Sequence, residues 1–105
     1  MVLAKMVDEQ TALFPKEEKY GLISQINRSV VSVASNIAEG AGRSSDKEFH
    51  HFLSIAAGSV YELETQMILA KEFNYTKDKK FEKIIALINE VQKLIFGLQR
   101  KLVEH

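Results

Sequence analysis

From Phe81 to Leu102 the apolar residues Phe81, Ile84, Ile88, Val91, Ile95, Leu98 and Leu102 recur at alternating steps of three and four. That spacing lines them along one stripe of an α-helix, and Ile85, Leu87 and Leu94 widen the stripe to what a core-facing bundle helix needs. A helix of this kind requires neighbours to cover it. Two more long segments share its period. Phe49, Leu53, Ala56, Val60, Leu63, Met67 and Ala70 mark a helix from Asp46 to about Phe73, and Ile23, Ile26, Val30, Val33 or Ala34, Ile37 and Ala41 mark one that starts at Glu17 or Leu22 and ends at Ala41. Met1 to Phe14 carries a shorter stripe through Val2 or Leu3, Met6, Val7, Leu13 and Phe14. A helix of that length depends on docking against the rest of the chain. Paired β-branched residues such as Val30-Val31 and Ile84-Ile85 do not add up to strands. Connections are short, so sequential helices are antiparallel neighbours. The expectation is an all-α fold, an antiparallel up-and-down four-helix bundle with a shortened first helix, formed by residues 1–105 as one domain.

Local chemistry marks the helix ends. Pro15 stops the first helix, because proline lacks an N–H and disfavours helical backbone before it. Glu17 and Glu18 suit the positive end of the next helix dipole. Gly40 and Gly42 are expected to supply left-handed backbone at its far end, and Ser45-Asp46-Lys47-Glu48 fits a capping box that opens the third helix. Asn74 with Tyr75-Thr76 marks the last turn, with Thr76 as its N-cap.

Composition removes several classes of function. The chain has no cysteine, so it offers no disulfide framework, thiolate nucleophile or cysteine zinc site, and it suits a reducing cytoplasm. Fourteen basic residues balance fourteen acidic ones, which gives no global pull toward nucleic acid or anionic membrane. No apolar run approaches the ~20 residues of a membrane span, and the N-terminus lacks the order of a secretory signal. Localisation is read as cytoplasmic.

Candidate chemical sites are weak. Gly40 to Ser45, with glycine N–H groups, hydroxyls and Arg43 at a helix start, could cradle an anion, but a nucleotide phosphate loop needs a preceding strand and a lysine followed by Ser or Thr. A capping turn is the better account. Glu48 and His51 give one Glu-x-x-His, where a bundle-borne metal pair needs two. Glu39, His50, Glu62 and Glu64 add no further motif, and no nucleophile elbow or oriented base is present. The reading carries no catalytic residue, cofactor, metal or small-molecule substrate.

The second helix has an additional face. Gln25, Ser29, Ser32, Asn36, Glu39 and Arg43 repeat at steps of four and three, a heptad seam of polar and small residues where an ordinary solvated face would favour Lys and Glu. On the third helix, Ala56-Ala57-Gly58-Ser59 is similarly small, and Gly58 in a helix interior costs about 1 kcal/mol against alanine. A hairpin pivoting near Arg43 puts Ser32 opposite Ile55 or Ala56, Ser29 near Ser59, and Gln25 or Arg28 near Glu62. One apolar stripe per helix suffices for a core, so this seam reads as surplus to a single subunit and available for contact between subunits.

The stretches Phe14-Pro15-Lys16-Glu17-Glu18-Lys19-Tyr20-Gly21-Leu22, Ser35-Asn36-Ile37-Ala38-Glu39-Gly40-Ala41-Gly42-Arg43 and Phe52-Leu53-Ser54-Ile55-Ala56-Ala57-Gly58-Ser59-Val60-Tyr61-Glu62-Leu63-Glu64 resemble the four-helix-bundle family of 23S ribosomal RNA intervening-sequence proteins. The resemblance covers residues 14 to 105. It implies a bacterial four-helix subunit, assembly into a ring-like homopentamer, no established enzymatic activity and a poorly defined molecular role. Relatives usually carry a longer first helix, often with a tryptophan, which this chain lacks. Ser32, Asn36, Glu39, Arg43, Gly58, Ser59, Glu62 and Glu64 are the residues expected to fix the hairpin and its oligomer register. Nucleic acid is the second partner class, through Lys77, Lys79, Lys80 and Lys83, the one local excess of positive charge, which a ring would multiply. Association of the family with ribosomal RNA inserts, and of similar basic pentamers with reverse transcriptases, favours that alternative; the neutral balance opposes it.

Overall fold

The computed structural model describes residues 2–18 and 20–103. Four α-helices follow one another: α1 (Val2–Thr11), α2 (Leu22–Ala41), α3 (Asp46–Glu72) and α4 (Asp78–Val103), with one 3-10 turn at Lys16–Glu18 between the first two. No strand occurs among the described residues. None of these helices is long and apolar enough to cross a membrane.

The expected stripes form most of the core, but Ala41 of α2 and Leu94 and Leu98 of α4 are exposed. Ile26 and Val33 of α2, Leu53, Val60, Leu63 and Met67 of α3, and Ile84, Ile88 and Ile95 of α4 are each at most 1% exposed. α3 lies between α2 and α4, while α1 packs on α4 and α2 and closes the square. Its Leu3 and Val7 are buried, whereas Val2 points outward. Helix rise puts α1 near 15 Å long and α3 near 40 Å. α1 therefore flanks only the half of the bundle where the α3–α4 turn sits, and there Thr76 Oγ1 donates to Gln10 Oε1 at 3.2 Å.

The helix ends follow the sequence in part. α1 stops at Thr11, earlier than Pro15 alone dictates: the Thr11 hydroxyl turns back to the Asp8 carbonyl at 3.1 Å, and a tighter turn leaves Leu13 exposed and Phe14 buried. Gly21 precedes α2 and has no side chain to cap it, so Glu18 Oε2 accepts from the Leu22 N–H at 3.1 Å. The carboxylate thus satisfies an orphan donor at the positive end of the helix. Ser45 caps α3 as expected, its Oγ accepting from the Glu48 N–H at 3.1 Å. α3 closes on Asn74 with φ 61°. The Tyr75 N–H reaches the Ala70 carbonyl and the Asn74 N–H that of Lys71, the paired bonds of a Schellman motif. Thr76 is not the cap of α4. Its hydroxyl is spent on Gln10, two residues before the helix starts, and a Lys71–Asp78 ion pair ties the turn instead.

The glycines before the α2–α3 turn act differently from expectation. No glycine among the described residues has positive φ, and Gly42 sits at φ −84°. Gly40 is instead the last buried residue of α2. A Cβ there would lie 2.8 Å from Phe52 Cβ and 2.9 Å from Phe49 Cδ1. Its role is close approach of α2 to α3, since those ring-bearing residues belong to the opposite helix and cannot both retreat. Gly40→Ala is expected to lower the unfolding free energy by about 1–3 kcal/mol through overpacking, read from the midpoint of urea denaturation.

Candidate assembly surface

The polar seam of α2 meets the small patch of α3 inside one chain. Ser32 Oγ and Ser59 Oγ are 2.7 Å apart. Asn36 Nδ2 donates to Ser32 Oγ at 3.1 Å and to the Ser32 carbonyl at 2.8 Å, and Ser59 Oγ donates to the Ile55 carbonyl at 3.3 Å. Proton counting orders the chain: each hydroxyl has one proton, Ser59 gives its own to Ile55, and so Ser32 donates to Ser59. The result is a directional link between α2 and α3.

This geometry corrects two expectations. Ser32, and not Ser29, stands opposite Ser59, so α2 is one turn out of the register that a pivot at Arg43 implies. The pivot lies nearer the Ser45 cap, because α2 continues through Gly40 and Ala41 and the turn starts only after them. Nor are Ser29, Ser32 and Ser59 surplus to the subunit. Ser29 and Ser59 are buried, and Ser32 and Asn36 half-buried, within the hairpin. Small hydroxyl side chains serve here as the internal packing of two close helices.

Of the remaining seam residues, Glu39 and Arg43 form an exposed pair at 2.5 Å, with 54% and 43% of their side chains in solvent. Screening limits such a pair to about 0.5 kcal/mol. The Arg43 guanidinium also lies over the Phe52 ring, 5.0 Å from its centroid. Glu62 is exposed and Glu64 half-buried, and no ion pair joins Glu62 to Arg28 among the described residues. Gly58 is exposed at the middle of α3, and a Cβ there would meet nothing within 4 Å. The subunit makes no use of its missing side chain. Ile55, Tyr61 and Leu69 are exposed on the same helix, and Val31 is 61% exposed on α2.

Lys77, Lys79, Lys80 and Lys83 are all exposed. Lys77 and Lys80 line a recess of about 350 Å³ with Gln10, Leu13, Tyr75 and Thr76. Two features at this end escaped sequence reasoning. Tyr75 packs against both Phe14 and Phe73 in tilted ring contacts, with centroids 5.4 and 5.6 Å away. Its hydroxyl makes a long bond of 3.5 Å to Glu18 Oε1. Loss of hydration and the Glu18 charge push the Tyr75 phenol above its ordinary value. Only the Phe14-Pro15 and Asn74-Tyr75 turns hinted that these rings would meet. Among the described residues no three His, Asp or Glu side chains converge as a metal site would require.

The Ser32–Ser59 bond yields a direct test. Ser32→Ala and Ser59→Ala should each destabilise by about 1 kcal/mol, and the double variant should cost clearly less than the sum. Full additivity in a denaturation cycle would show that the two hydroxyls do not interact.

No curated protein matches the chain in sequence. Among solved structures, a crystal structure of a protein of unknown function from the S23 ribosomal protein family of Bacteroides thetaiotaomicron superposes with a TM-score of 0.82 at 25% identity, over 92% of this chain and 90% of that one. The all-α bundle fold is thus shared with that protein. Residues 1–97 match the model of the 23S rRNA-intervening sequence protein, and the chain belongs to that family.

Proposed function

We propose that the protein is a non-enzymatic, cytoplasmic assembly subunit that closes into a homopentameric ring through the outer surface of the α2–α3 hairpin. The observation that carries this reading is Gly58: a glycine in the middle of a 27-residue helix, exposed, with open space above it. It lowers helix stability and returns nothing to its own subunit. A neighbouring helix from a second copy can approach closely there, and Ile55, Tyr61 and Val31 supply apolar area around the point of approach. Repeated head-to-tail contacts of one kind close into a ring when the rotation per subunit allows it, and the family resemblance supplies the number five. The cysteine-free composition supports the compartment. The family's description and that of the solved relative name no reaction.

Light scattering on the unmodified protein is expected to give a pentamer mass, and a monomer mass at micromolar concentration would refute assembly. Gly58→Leu should reduce the mass while the circular dichroism stays helical. It leaves the hairpin intact, because the space above Gly58 is open within the subunit.

A second reading rests on the exposed Lys77, Lys79, Lys80 and Lys83, none of which has an ion-pair partner among the described residues. In a ring these lysines would repeat around one end and contact phosphates of RNA or DNA. Binding measured across a salt series should weaken steeply, and each lysine removed should flatten the slope by roughly one counterion per phosphate. A flat salt response, or no binding at low salt, eliminates this reading.

A further inference from the structure

The outward face of α4 is complementary to itself. Glu90, Leu94, Gly97 and Lys101 fall on one strip of the helix at steps of four, three and four. Leu94 is 68% exposed, the largest exposure of any leucine on α4 among the described residues, and Leu98 beside it is 40% exposed. A Cβ on Gly97 would meet nothing within 4 Å. Around that glycine Lys93, Leu94, Leu98 and Lys101 wall a shallow recess of about 200 Å³. Glu90, Lys93 and Lys101 are exposed and make no ion pair among the described residues.

We infer that this face docks on the same face of a second copy, with the two α4 helices antiparallel about a two-fold axis midway between Ile95 and Phe96. The sequence is symmetric about that point in chemistry. Leu94 of each copy enters the recess over Gly97 of the other. Glu90 of each meets Lys101 of the other, and the aliphatic stem of Lys93 covers Leu98. Every knob faces a hole and every carboxylate an ammonium, which is the self-complementarity that an isologous contact demands. A parallel arrangement would instead set Glu90 beside Glu90 and Lys101 beside Lys101. One helix pair of this length buries less than the ~1,200 Å² of a standard stable interface, so the contact is weak for single subunits. It gains strength when several subunits present it together.

The contact is separate from the α2–α3 surface and does not rest on it. If both hold, α4 pairs one ring with another; if the ring fails, α4 yields a simple dimer. Sedimentation equilibrium of the full chain over a concentration series reads the two-fold step. Glu90→Lys and Lys101→Glu each place like charges together at both ends of the helix pair and should weaken it about tenfold. Mixing the two variants, or combining both changes in one chain, restores opposite charges at both ends and should return the affinity to within about twofold. Gly97→Gln fills the recess and should abolish the step while raising the thermal midpoint by a few degrees, because glutamine favours an exposed helix over glycine. A two-fold step that ignores these substitutions, a double charge reversal that fails to restore it, or its absence from the unmodified protein overturns the inference. Gly58→Leu must still leave a two-fold step, moved to higher concentration if the ring is lost, which separates its failure from that of the ring.

Discussion

The close approach of α2 to α3 at Gly40 sets the geometry on which the remainder of the bundle depends. With hydrogen alone on Gly40, the helix backbone can settle against Phe52 Cβ and the Phe49 ring, where even a methyl group would stand at 2.8 and 2.9 Å. The separation this fixes at one end brings Ser32 and Ser59 within 2.7 Å further along. At that spacing two leucines could not face each other. Hydroxyls fit, and they satisfy one another. The aliphatic stripe of α3 then remains free for α4, and Leu53, Val60, Leu63 and Met67 are buried with Ile84, Ile88 and Ile95 in the core.

Three of the five glycines occupy helices, and they divide by what lies above them. Gly40 is occupied by the opposite helix of its own chain, whereas Gly58 and Gly97 face open space. A glycine inside a regular helix weakens it, so the first has an internal use and the other two have none. The same division separates the polar residues. Ser32, Asn36 and Ser59 are consumed by the hairpin, while Glu62, Glu90 and Lys101 remain exposed without ion-pair partners among the described residues. The interior is thus aliphatic with a few hydroxyls at the α2–α3 contact, while single apolar side chains such as Val31, Tyr61 and Leu94 stand among charged residues outside.

The end of the bundle near the α3–α4 turn is held by a different kind of interaction. α1 is too short to rely on area, so its docking combines Leu3 and Val7 with a polar tie from Gln10 to Thr76. Phe14 and Phe73 both contact Tyr75 in tilted geometry at the same end. Aromatic contacts of this geometry add to area burial, and here they join the α1–α2 connection to the α3–α4 turn, two segments distant in sequence.

Helix identity was legible from the chain because it is a local property. The three-and-four spacing of apolar residues placed α2, α3 and α4 and named nearly all of their core; Ser45 capped the helix it preceded, and Asn74 took the left-handed turn that its type tolerates. Each of these outcomes depends on residues within a few positions of one another. Register between helices, by contrast, depends on which side-chain volumes can face each other across a gap. Nothing near Ser32 in sequence records that Gly40 lets α2 press against Phe49 and Phe52, so spacing alone puts Ser29 where Ser32 stands and gives both glycines to the turn. Thr76 was legible as a turn residue, yet only folding brought Gln10 within reach to take its hydroxyl. The polar seam is legible in the sequence as unusual, but spacing alone cannot distinguish a seam between helices of one subunit from a seam between subunits. The tertiary structure decided that by placing Ser59 opposite Ser32 and leaving Gly58 facing outward.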